Sequence, residues 1–292
     1  MDAVAEFQRY RPLLLGLAYR LLGSAWDAED VVQEAYLRWM RADPSEIREP
    51  RSFLITVTSR LALDQLRSAR VRREAYPGPW LPEPVDANDL GPMDSAELRD
   101  SVSFATLHLM ERLSPPERAV FVLREAFGLS YDEIAEIIGS TSAACRQAHH
   151  RATQRLADDR HRFQPSRQEH ARLLTGFLDA ARTGDLAALT RMLSEDVVVY
   201  NDGGGRVRAA RRPIFGRDKV SAFAVGLLSR YPIEEIQMAE VNGGPAAWIV
   251  ADGQSNLVTL AVRDGKITAV YGVLNPDKLA RIGATSVGRP GT

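Results

Sequence analysis

The stretch Gly128–Leu156, GLSYDEIAEIIGSTSAACRQAHHRATQRL, decides how the first half of this chain folds. Apolar side chains recur at helical spacing from Tyr131 to Ile138, and Gly139-Ser140-Thr141 then interrupts the run. A second helical pattern follows, whose apolar seam consists of Cys145, His149, Ala152 and Leu156. Two short helices separated by such a break predict a helix-turn-helix.

The face of the second helix opposite this seam is polar. At about 100° per residue, it consists of Ala143, Arg146, Gln147, His150, Arg151 and Gln154. Basic and amide groups on a helix are what the readout of base edges in a DNA major groove needs. A tight helical hairpin on a solvated surface would give the same spacing, but the chemistry of the face favours DNA. The residues predicted to contact DNA are Arg146, Gln147, His150 and Arg151.

Two earlier helices are predicted over Leu13–Leu22 and Ala25–Met40, with Ser24 as the N-cap of the second. The buried stripe predicted for the second helix is Ala28, Val32, Ala35, Tyr36 and Trp39. Its opposite, mostly acidic face consists of Asp27, Asp30, Gln33, Glu34 and Arg38. If this helix stood alone, a simple solvated surface would account for that face.

A third helical pattern begins at Pro50, a residue type favoured in the first turn of a helix. Its predicted buried stripe is Leu54, Val57, Thr58 and Leu61. Its predicted exposed row is Thr56, Ser59, Arg60, Leu63, Arg67 and Arg70, extended by Arg72 and Arg73. Between Arg60 and Arg73, five arginines stand against a single acid, Asp64. This excess of positive charge predicts contact with a phosphate backbone, although an ordinary surface helix would also fit.

Composition limits the classes of function. The chain has 292 residues, enough for two or three domains, and a formal net charge of −1. Lysine is absent before Pro165, so the positive charge there is guanidinium, which suits phosphate and guanine. Cys145 is the only cysteine, which excludes an internal disulfide and a thiolate metal cluster. The sequence contains no apolar run of membrane-spanning length and no leader pattern, so we expect a cytoplasmic protein. We also expect that it needs no metal or cofactor.

The composition changes abruptly at Tyr76–Gly91, YPGPWLPEPVDANDLG. Proline at this density keeps a chain extended, so residues 76–95 are predicted to form a semi-rigid linker. Trp80 and Leu81 are the exception, because burial of a large apolar side chain is worth about 1.5–3 kcal/mol. We therefore expect these two side chains to dock on another part of the chain.

The character of the chain changes again at Pro165. Before it, helices predicted from Ala96 to Leu113 and from Glu117 to Phe127 join the helix-turn-helix in a module of residues 96–163. After it, the predicted strands are Val197–Tyr200, Ala246–Ala251, Leu257–Val262 and Ile267–Val273. The accompanying helices are Glu169–Arg182, Leu186–Leu193 and Asp218–Ser229. Residues 167–292 are therefore predicted to form an α+β domain with a curved antiparallel sheet and a hairpin at Gly265-Lys266.

Three stretches, in this order, resemble the extracytoplasmic-function sigma factors of bacterial RNA polymerase. DAEDVVQEAYLRW at Asp27–Trp39 is similar to the helix with which that family grips the polymerase clamp, a basic coiled coil of the large subunit. SFLITVTSRLALDQLRSARVRRE at Ser52–Glu74 is similar to the helix that melts and reads the minus-10 element. The segment Glu111–Leu156 is similar to the domain that reads the minus-35 element.

The resemblance implies a factor with two all-α domains, residues 1–75 and 96–163, that binds core RNA polymerase and promoter DNA. The positions that match the polymerase-binding pattern are Asp30, Gln33 and Glu34. Asp64 and Arg67 match the DNA-binding pattern of the third helix, where Arg60 and Arg70 lie on the same basic row. Arg60 stands where the family usually has Asn, so the resemblance does not imply a particular promoter sequence.

The second half resembles the SnoaL-like, NTF2-related domain that is fused to a subgroup of these factors. WLPEP at Trp80–Pro84, DGGGR at Asp202–Arg206 and NPDKL at Asn275–Leu279 resemble its three recurrent motifs. In that subgroup the extension is thought to regulate the factor in place of a separate anti-sigma protein, and a tethered partner needs only a weak interface. The residues to which the resemblance gives a regulatory role are Trp80, Leu81, Pro82, Asp202, Gly203, Gly204, Gly205, Asn275, Pro276, Asp277, Lys278 and Leu279.

Two other classes of function stay open. A stand-alone repressor would bind duplex DNA without polymerase. Domains of the SnoaL type also enclose cavities that support proton transfer, so a DNA-tethered ligand sensor or isomerase-like enzyme is the alternative. The candidate bases on or near the predicted strands are Tyr200, Asp202, Asp252 and Tyr271. We favour regulation over catalysis, because Asp202 beside three glycines also fits a turn.

Overall fold

The computed structural model describes residues 3–43, 45, 47–90, 101–160 and 166–286. The chain divides into two compact units. The first takes in Met1–Glu74 and Asp86–His161, and the second takes in Ala75–Val85 and Arg162–Thr292. The proline-rich segment Ala75–Val85, which the sequence predicts as part of a linker, therefore packs with the C-terminal half.

The first unit begins with α1 (Ala3–Leu22), α2 (Ala25–Arg41) and α3 (Pro50–Glu74). Ser24 caps α2 as predicted, because its hydroxyl accepts a hydrogen bond from the Asp27 backbone N–H at 3.1 Å. The predicted stripe of α2 is buried at Ala28, Val32, Ala35 and Trp39, with Val31 added to it. Tyr36 is only half-buried. The amphipathic pattern thus places the acidic face of α2 on the outside.

On α3 the predicted exposed row is wrong at two positions. Ser59 and Leu63 are 2% and 4% exposed, whereas Val57 and Leu61 of the predicted buried stripe are half-buried. The reason is that α3 packs not only against α1 and α2 but also against helices of the following module. More of its circumference is covered than a single apolar stripe would indicate.

The following module contains α4 (Phe104–Met110), α5 (Pro115–Glu125), α6 (Tyr131–Ile138) and α7 (Ser142–Arg160), and a 3₁₀ turn at Ala87–Leu90 precedes it. The predicted start of α5 is confirmed, since Ser114 and Glu117 form a capping box. The helix predicted over Ala96–Leu113 is shorter, and its first five residues lie outside the described ranges.

The helix-turn-helix is confirmed as α6 and α7. α6 ends at Gly139, whose φ of +67° is the left-handed conformation that favours glycine. The seam of α7 consists of Cys145, Ala148, Ala152 and Leu156. Ala148 thus takes the place predicted for His149, which is half-buried at the edge of the seam. The His149 ring stacks on Phe121 at 6.2 Å, so it is packed within the module as expected.

The second unit packs helices on a six-stranded sheet. Its helices are α8 (Arg167–Thr183), α9 (Leu186–Met192), α10 (Arg217–Arg230) and α11 (Pro276–Ser286). Its strands are β1 (Leu193–Asp202), β2 (Ile214–Phe215), β3 (Ile233–Val241), β4 (Gly244–Ala251), β5 (Gln254–Arg263) and β6 (Lys266–Val273). The spatial order is β2-β1-β6-β5-β4-β3. The α+β class is confirmed, but the sheet is mixed, because β1 runs parallel to β6 and all other neighbours are antiparallel.

The core of the second unit joins α8, α9 and α10 to the sheet. Leu174, Phe177, Val199 and Ile249 are among its buried side chains. The predicted hairpin between β5 and β6 is confirmed, while β2, β3 and α11 are absent from the prediction. Within the described ranges, every helix is too short or too polar to cross a membrane.

Candidate functional site

The residues predicted to bind polymerase lie on the outer surface of α2. Asp30 and Gln33 are exposed, and Glu34 is half-buried. The carboxylate of Glu34 accepts a hydrogen bond from Arg38 Nε at 3.1 Å, an exposed ion pair of small energetic value. The three predicted residues are therefore accessible to a protein partner.

Asp27, predicted on the same face, has a different role. Its carboxylate accepts a hydrogen bond from Gln65 Nε2 at 3.0 Å and lies 3.6 Å from the Arg72 guanidinium. Both partners belong to α3. Asp27 therefore ties α2 to α3 rather than presenting its charge with Asp30.

The predicted DNA-binding residues of α3 all project with exposed side chains: Arg60, Asp64, Arg67 and Arg70. Asp64 and Arg67 pair with each other at 3.0 Å. Arg60 instead donates to the end of α6, from Nη2 to the Glu136 carbonyl at 2.9 Å and from Nε to the Ile137 carbonyl at 3.1 Å. Carbonyls at a helix C-terminus lack intrahelical partners and carry partial negative charge, so a guanidinium is a favourable cap. In this structure Arg60 is held by the helix-turn-helix.

Arg73, predicted to extend the basic row of α3, is not part of it. Its side chain is 13% exposed and pairs with Glu111, and a second nitrogen donates to the Leu22 carbonyl. Burial lowers the pKa of Arg73, but the neighbouring carboxylate keeps the guanidinium charged. The row available to DNA ends at Arg72.

The four residues predicted to read DNA from α7 are exposed: Arg146, Gln147, His150 and Arg151. Arg151 donates from Nε to the buried Glu117 carboxylate at 3.0 Å, and the Arg146 guanidinium lies 5.9 Å from the centre of the Tyr131 ring. Gln147 and His150 project without an ion pair to any described residue. These two side chains are thus the most available for contacts with base edges, and Arg151 is partly used to hold α7 against α5.

The three motifs of the second half meet at Asp202, the last residue of β1, which is 0% exposed. One carboxylate oxygen accepts from the Tyr76 hydroxyl at 2.7 Å and from the Gly204 N–H at 3.0 Å. The other accepts from the Leu81 N–H at 2.8 Å and pairs with Lys278 Nζ at 2.7 Å. We call this arrangement of Tyr76, Leu81, Asp202, Gly204 and Lys278 the Asp202 clasp.

Lys278 holds the clasp together because its ammonium reaches several groups of the Ala75–Val85 segment. Nζ lies 4.1 Å from the centre of the Trp80 ring and 5.1 Å from that of Tyr76, and it also donates to the Leu81 carbonyl. Asn275 donates from Nδ2 to the Tyr76 hydroxyl at 2.9 Å. Burial and the bond to Asp202 raise the pKa of Tyr76, so its hydroxyl remains a donor.

The glycines of the second motif allow this close approach. A Cβ on Gly204, whose φ is +59°, would lie 2.2 Å from Asn275 Nδ2. A Cβ on Gly205 would lie 2.8 Å from Pro77, and one on Gly203 would lie 2.7 Å from backbone of the same turn. Since real Cβ contacts are not this short, side chains here would push the three motifs apart.

The remaining motif residues support the clasp from its edges. Pro82 and Leu279 are buried, and Pro276 begins α11. Asp277 pairs with Arg206 at 3.1 Å on the surface, which joins the second motif to the third. All predicted regulatory residues therefore lie in one cluster within the second unit.

The candidate bases for catalysis have structural roles. A carboxylate offers about four acceptor positions, and four donors occupy those of Asp202. Tyr200 and Tyr271 stack on each other at 5.7 Å, and Asp252 has a φ of +52° in the turn between β4 and β5. This geometry disfavours a role for Asp202 as a general base.

Comparison with known proteins now identifies the family. The model of Sigma-70 region 2 matches residues 7–72, and that of Sigma-70, region 4 matches residues 103–156. The chain is 38% identical to the ECF RNA polymerase sigma factor SigJ of Mycobacterium tuberculosis, over 94% of this chain and 92% of the relative. The chain belongs to the ECF RNA polymerase sigma factors. It is also 34% identical to the probable ECF sigma factor SigI of the same organism, over 94% of each. The crystal structure of SigJ matches with a TM-score of 0.75 at 34% identity, over 95% of this chain and 98% of that one.

In this sigma factor, α1 to α3 form region 2 and α4 to α7 form region 4. The protein is thus an alternative sigma factor that directs RNA polymerase to promoters. The SigJ match extends over both units.

Sequence reasoning missed the apolar part of the α2 surface. Trp26, Leu37 and Met40 are 52%, 39% and 45% exposed. With Asp30 and Gln33 they follow one line on the helix, at spacings of four and three residues. We call this line the α2 stripe. The signal that could have revealed it was the helical spacing of these three large apolar residues outside the buried set.

Sequence reasoning also missed a buried ion network between the sigma regions. The Glu111 carboxylate of region 4 pairs with Arg73 of region 2 and with Arg118, which is 1% exposed. Arg118 Nε also donates to the Arg20 carbonyl of α1 at 3.1 Å. Burial alone would raise the pKa of Glu111, but the two guanidinium groups outweigh it and hold the pKa below its ordinary value. No sequence pattern pairs residues so far apart.

Proposed function

We propose that the α2 stripe of region 2 binds core RNA polymerase. We also propose that the second unit regulates either this binding or the promoter-directed transcription that follows it. The observation that carries the proposal is the stripe itself, where Asp30 and Gln33 lie between exposed Trp26, Leu37 and Met40. Apolar anchors supply buried area in an interface, and charged neighbours fix orientation and speed encounter. A basic coiled coil, such as the clamp of the large polymerase subunit, has the complementary charge.

Promoter DNA is the second partner in this proposal. Asp64, Arg67 and Arg70 of α3 would contact the minus-10 element, and Arg146, Gln147 and His150 of α7 would read the minus-35 element. Guanidinium and amide groups supply the donors that base edges and phosphates accept. Arg60 would join the first set only after it leaves the carbonyl oxygens at the end of α6.

The Asp202 clasp gives the second unit a means of regulation. α3 of region 2 ends at Glu74, and the segment Ala75–Val85 that follows it belongs to the second unit. The first part of the chain that joins region 2 to region 4 is therefore held by Asp202 and Lys278. Eleven residues span at most about 36–40 Å when extended, so release of this segment would lengthen the free connection between the two sigma regions by a large amount.

This role is regulatory rather than catalytic, because the clasp occupies the acceptors of Asp202 that an isomerase-like reaction would need. Polymerase and promoter are cytoplasmic, so the protein would act there. The alternative of a ligand sensor in the second unit would be supported by binding of a small molecule that changes transcription.

The decisive experiment measures binding of the full chain to purified core RNA polymerase. Asp30→Arg combined with Glu34→Arg should weaken binding at least 10-fold, because it reverses the charge on the stripe and directly beside it. Leu37→Ala combined with Met40→Ala should weaken binding at least 10-fold, because it removes two apolar anchors of the stripe. A matched control reverses two other exposed helical acids, Asp179→Arg and Asp218→Arg, and should bind normally. Circular dichroism would verify that all variants are folded. Wild-type affinity in both stripe variants would contradict the proposal.

A further inference from the structure

The connection between β1 and β2 in the second unit carries a concentration of positive charge that the sigma regions do not explain. Residues 203–213, GGGRVRAARRP, contain four arginines and no acid. The chain as a whole has a net charge of −1. We call Arg206–Arg212 the arginine loop. Its density of arginine equals or exceeds that of the basic row on α3.

The loop presents this charge to solvent. Arg208, Arg211 and Arg212 are exposed, and none of the three pairs with an acidic side chain among the described residues. Arg206, by contrast, pairs with Asp277 at 3.1 Å. Arg167 and Arg182 on the same unit also pair with acids, at 2.7 and 3.9 Å. Unpaired charges of like sign repel one another. Binding of an anion would relieve the repulsion among three guanidinium groups that lie within five residues of one another in the sequence.

Backbone hydrogen bonds hold the start of the loop. The N–H groups of Arg206 and Val207 donate to the Gly203 carbonyl at 2.9 and 3.2 Å, which forms a turn directly after Asp202. A Cβ on Gly78 would lie 3.6 Å from Arg211 Cα, so the loop is in contact with the Ala75–Val85 segment. That segment directly follows the basic end of α3 in the sequence. An ordered loop loses less conformational freedom on binding than a floppy one.

The chemistry of the loop favours nucleic acid over an acidic protein surface. Guanidinium binds phosphate oxygens in a planar, bidentate manner. Every basic residue of the arginine loop is an arginine. Phe215 of β2 follows the loop and is 60% exposed. An exposed aromatic ring next to a basic track is a typical platform for nucleic acid. Promoter DNA, one of the two partners of a sigma factor, is itself a polyanion.

We infer that the arginine loop binds the phosphate backbone of DNA, as a contact from the second unit in addition to those of regions 2 and 4. The inference rests on the proposed role of the chain at promoters, but it concerns a different surface. Phosphate contacts do not depend on base sequence, so the loop strengthens binding without changing promoter choice.

The test uses the full chain and a fluorescein-labelled, 40-base-pair duplex of mixed sequence, with affinity measured by anisotropy between 50 and 200 mM salt. The loop variant is Arg208→Gln, Arg211→Gln, Arg212→Gln. Each neutralised phosphate contributes about −0.9 to the slope of log affinity against log salt, so the variant should have a slope shallower by about 2.7. Over this fourfold range of salt, the wild type should lose about 40-fold more affinity than the variant.

Two control variants make the result specific. Arg172→Gln, Arg182→Gln, Arg230→Gln removes the same charge from other exposed positions and should keep the wild-type slope. Arg208→Lys, Arg211→Lys, Arg212→Lys keeps the charge and should retain most of the slope.

Equal slopes for the wild type and the glutamine variant, or a wild type that does not bind the duplex at 50 mM salt, would overturn the inference. A glutamine variant that loses affinity for core polymerase instead of DNA would show that the loop meets a protein. Failure of the loop leaves the α2 stripe test unaffected, so the two proposals can fail separately.

Discussion

Asp202 shows how a single buried charge can make three distant motifs act as one. Transfer of a carboxylate from water into protein is costly unless hydrogen bonds and an opposite charge compensate it. At Asp202 the compensation comes from Tyr76 and Leu81 on one segment, Gly204 on a second and Lys278 on a third. Loss of any one segment leaves the charge incompletely paired. The clasp is therefore expected to open as a unit.

Gly204→Ala is the most economical test of this cooperativity. The added Cβ meets Asn275 at 2.2 Å, and the φ of +59° adds strain. Gly253→Ala is a matched control, because its φ is +66° but no atom lies within 4 Å of the added Cβ. Each variant bears the strain of a left-handed alanine, about 1 kcal/mol, and only the first has the clash. Amide hydrogen exchange of residues 75–85 should accelerate at least 10-fold in Gly204→Ala and change little in Gly253→Ala. Equal acceleration in the two variants would mean that the glycines serve the turn alone.

The packing of α3 and α4–α5 depends on the Glu111 network. Removal of one member of a buried ion network leaves uncompensated charge, so Glu111→Gln should lower the free energy of unfolding of the first unit by about 3 kcal/mol. The folded-state pKa of Glu111 is lowered, so its contribution is present above the ordinary value of 4.5 and is lost as pH falls through the lowered value. The wild type should therefore lose stability more steeply than Glu111→Gln below about pH 4.5. Urea unfolding followed by far-UV circular dichroism measures both effects.

Glu74→Gln is the control for that measurement. Glu74 pairs with Arg70 at 3.6 Å on the exposed end of α3, the helix that also carries Arg73 of the buried network. Its loss should cost less than about 1 kcal/mol. If Glu74→Gln destabilises the protein as much as Glu111→Gln, the buried network has no special role.

The helices were easier to predict from sequence than the sheet. Ser24, Ser114-Pro115 and Gly139 mark helix ends by their own chemistry, so α2, α5 and α6 could be located directly. The strand β3 was missed because Glu234, Glu235 and Glu240 interrupt its apolar pattern at the sheet edge. Its real signal was Asn242-Gly243, a pair with φ values of +54° and +72° that suits a two-residue hairpin. Asp252-Gly253 gives the same signal for the next hairpin.

Contacts between residues distant in sequence were beyond such reasoning. Local spacing could identify Asp30 and Arg146 as outward-facing, since both depend on helix period alone. The pairing of Glu111 with Arg73, and the capture of Arg60 by the end of α6, depend on how helices pack and not on any local pattern. The resemblance to a fused regulatory domain named the three motifs, but the role of Asp202 as their common acceptor required the structure.

The clasp also bears on how far apart the two promoter-reading regions can act. Region 2 and region 4 are joined through Ala75–Val85, which Asp202 and Lys278 hold within the second unit. With the segment held, these eleven residues add no length to the connection between the regions. With it released, up to about 36–40 Å of extended chain is added, which corresponds to roughly eleven base pairs at 3.4 Å each.

Release of the clasp should therefore widen the range of promoter spacings that the protein accepts. Lys278→Ala leaves Asp202 buried without its cation, whereas Lys266→Ala removes an exposed lysine that bonds to the Arg191 carbonyl and serves as the control. Transcription with core polymerase would be measured on templates whose minus-10 and minus-35 elements are separated by one to five base pairs more or fewer than the optimum. The wild type and Lys266→Ala should lose most activity within about two base pairs of the optimum, and Lys278→Ala should retain it over a wider range. An unchanged spacing profile in Lys278→Ala, with hydrogen exchange showing that residues 75–85 are released, would mean that the clasp controls activity by some route other than the length of the connection.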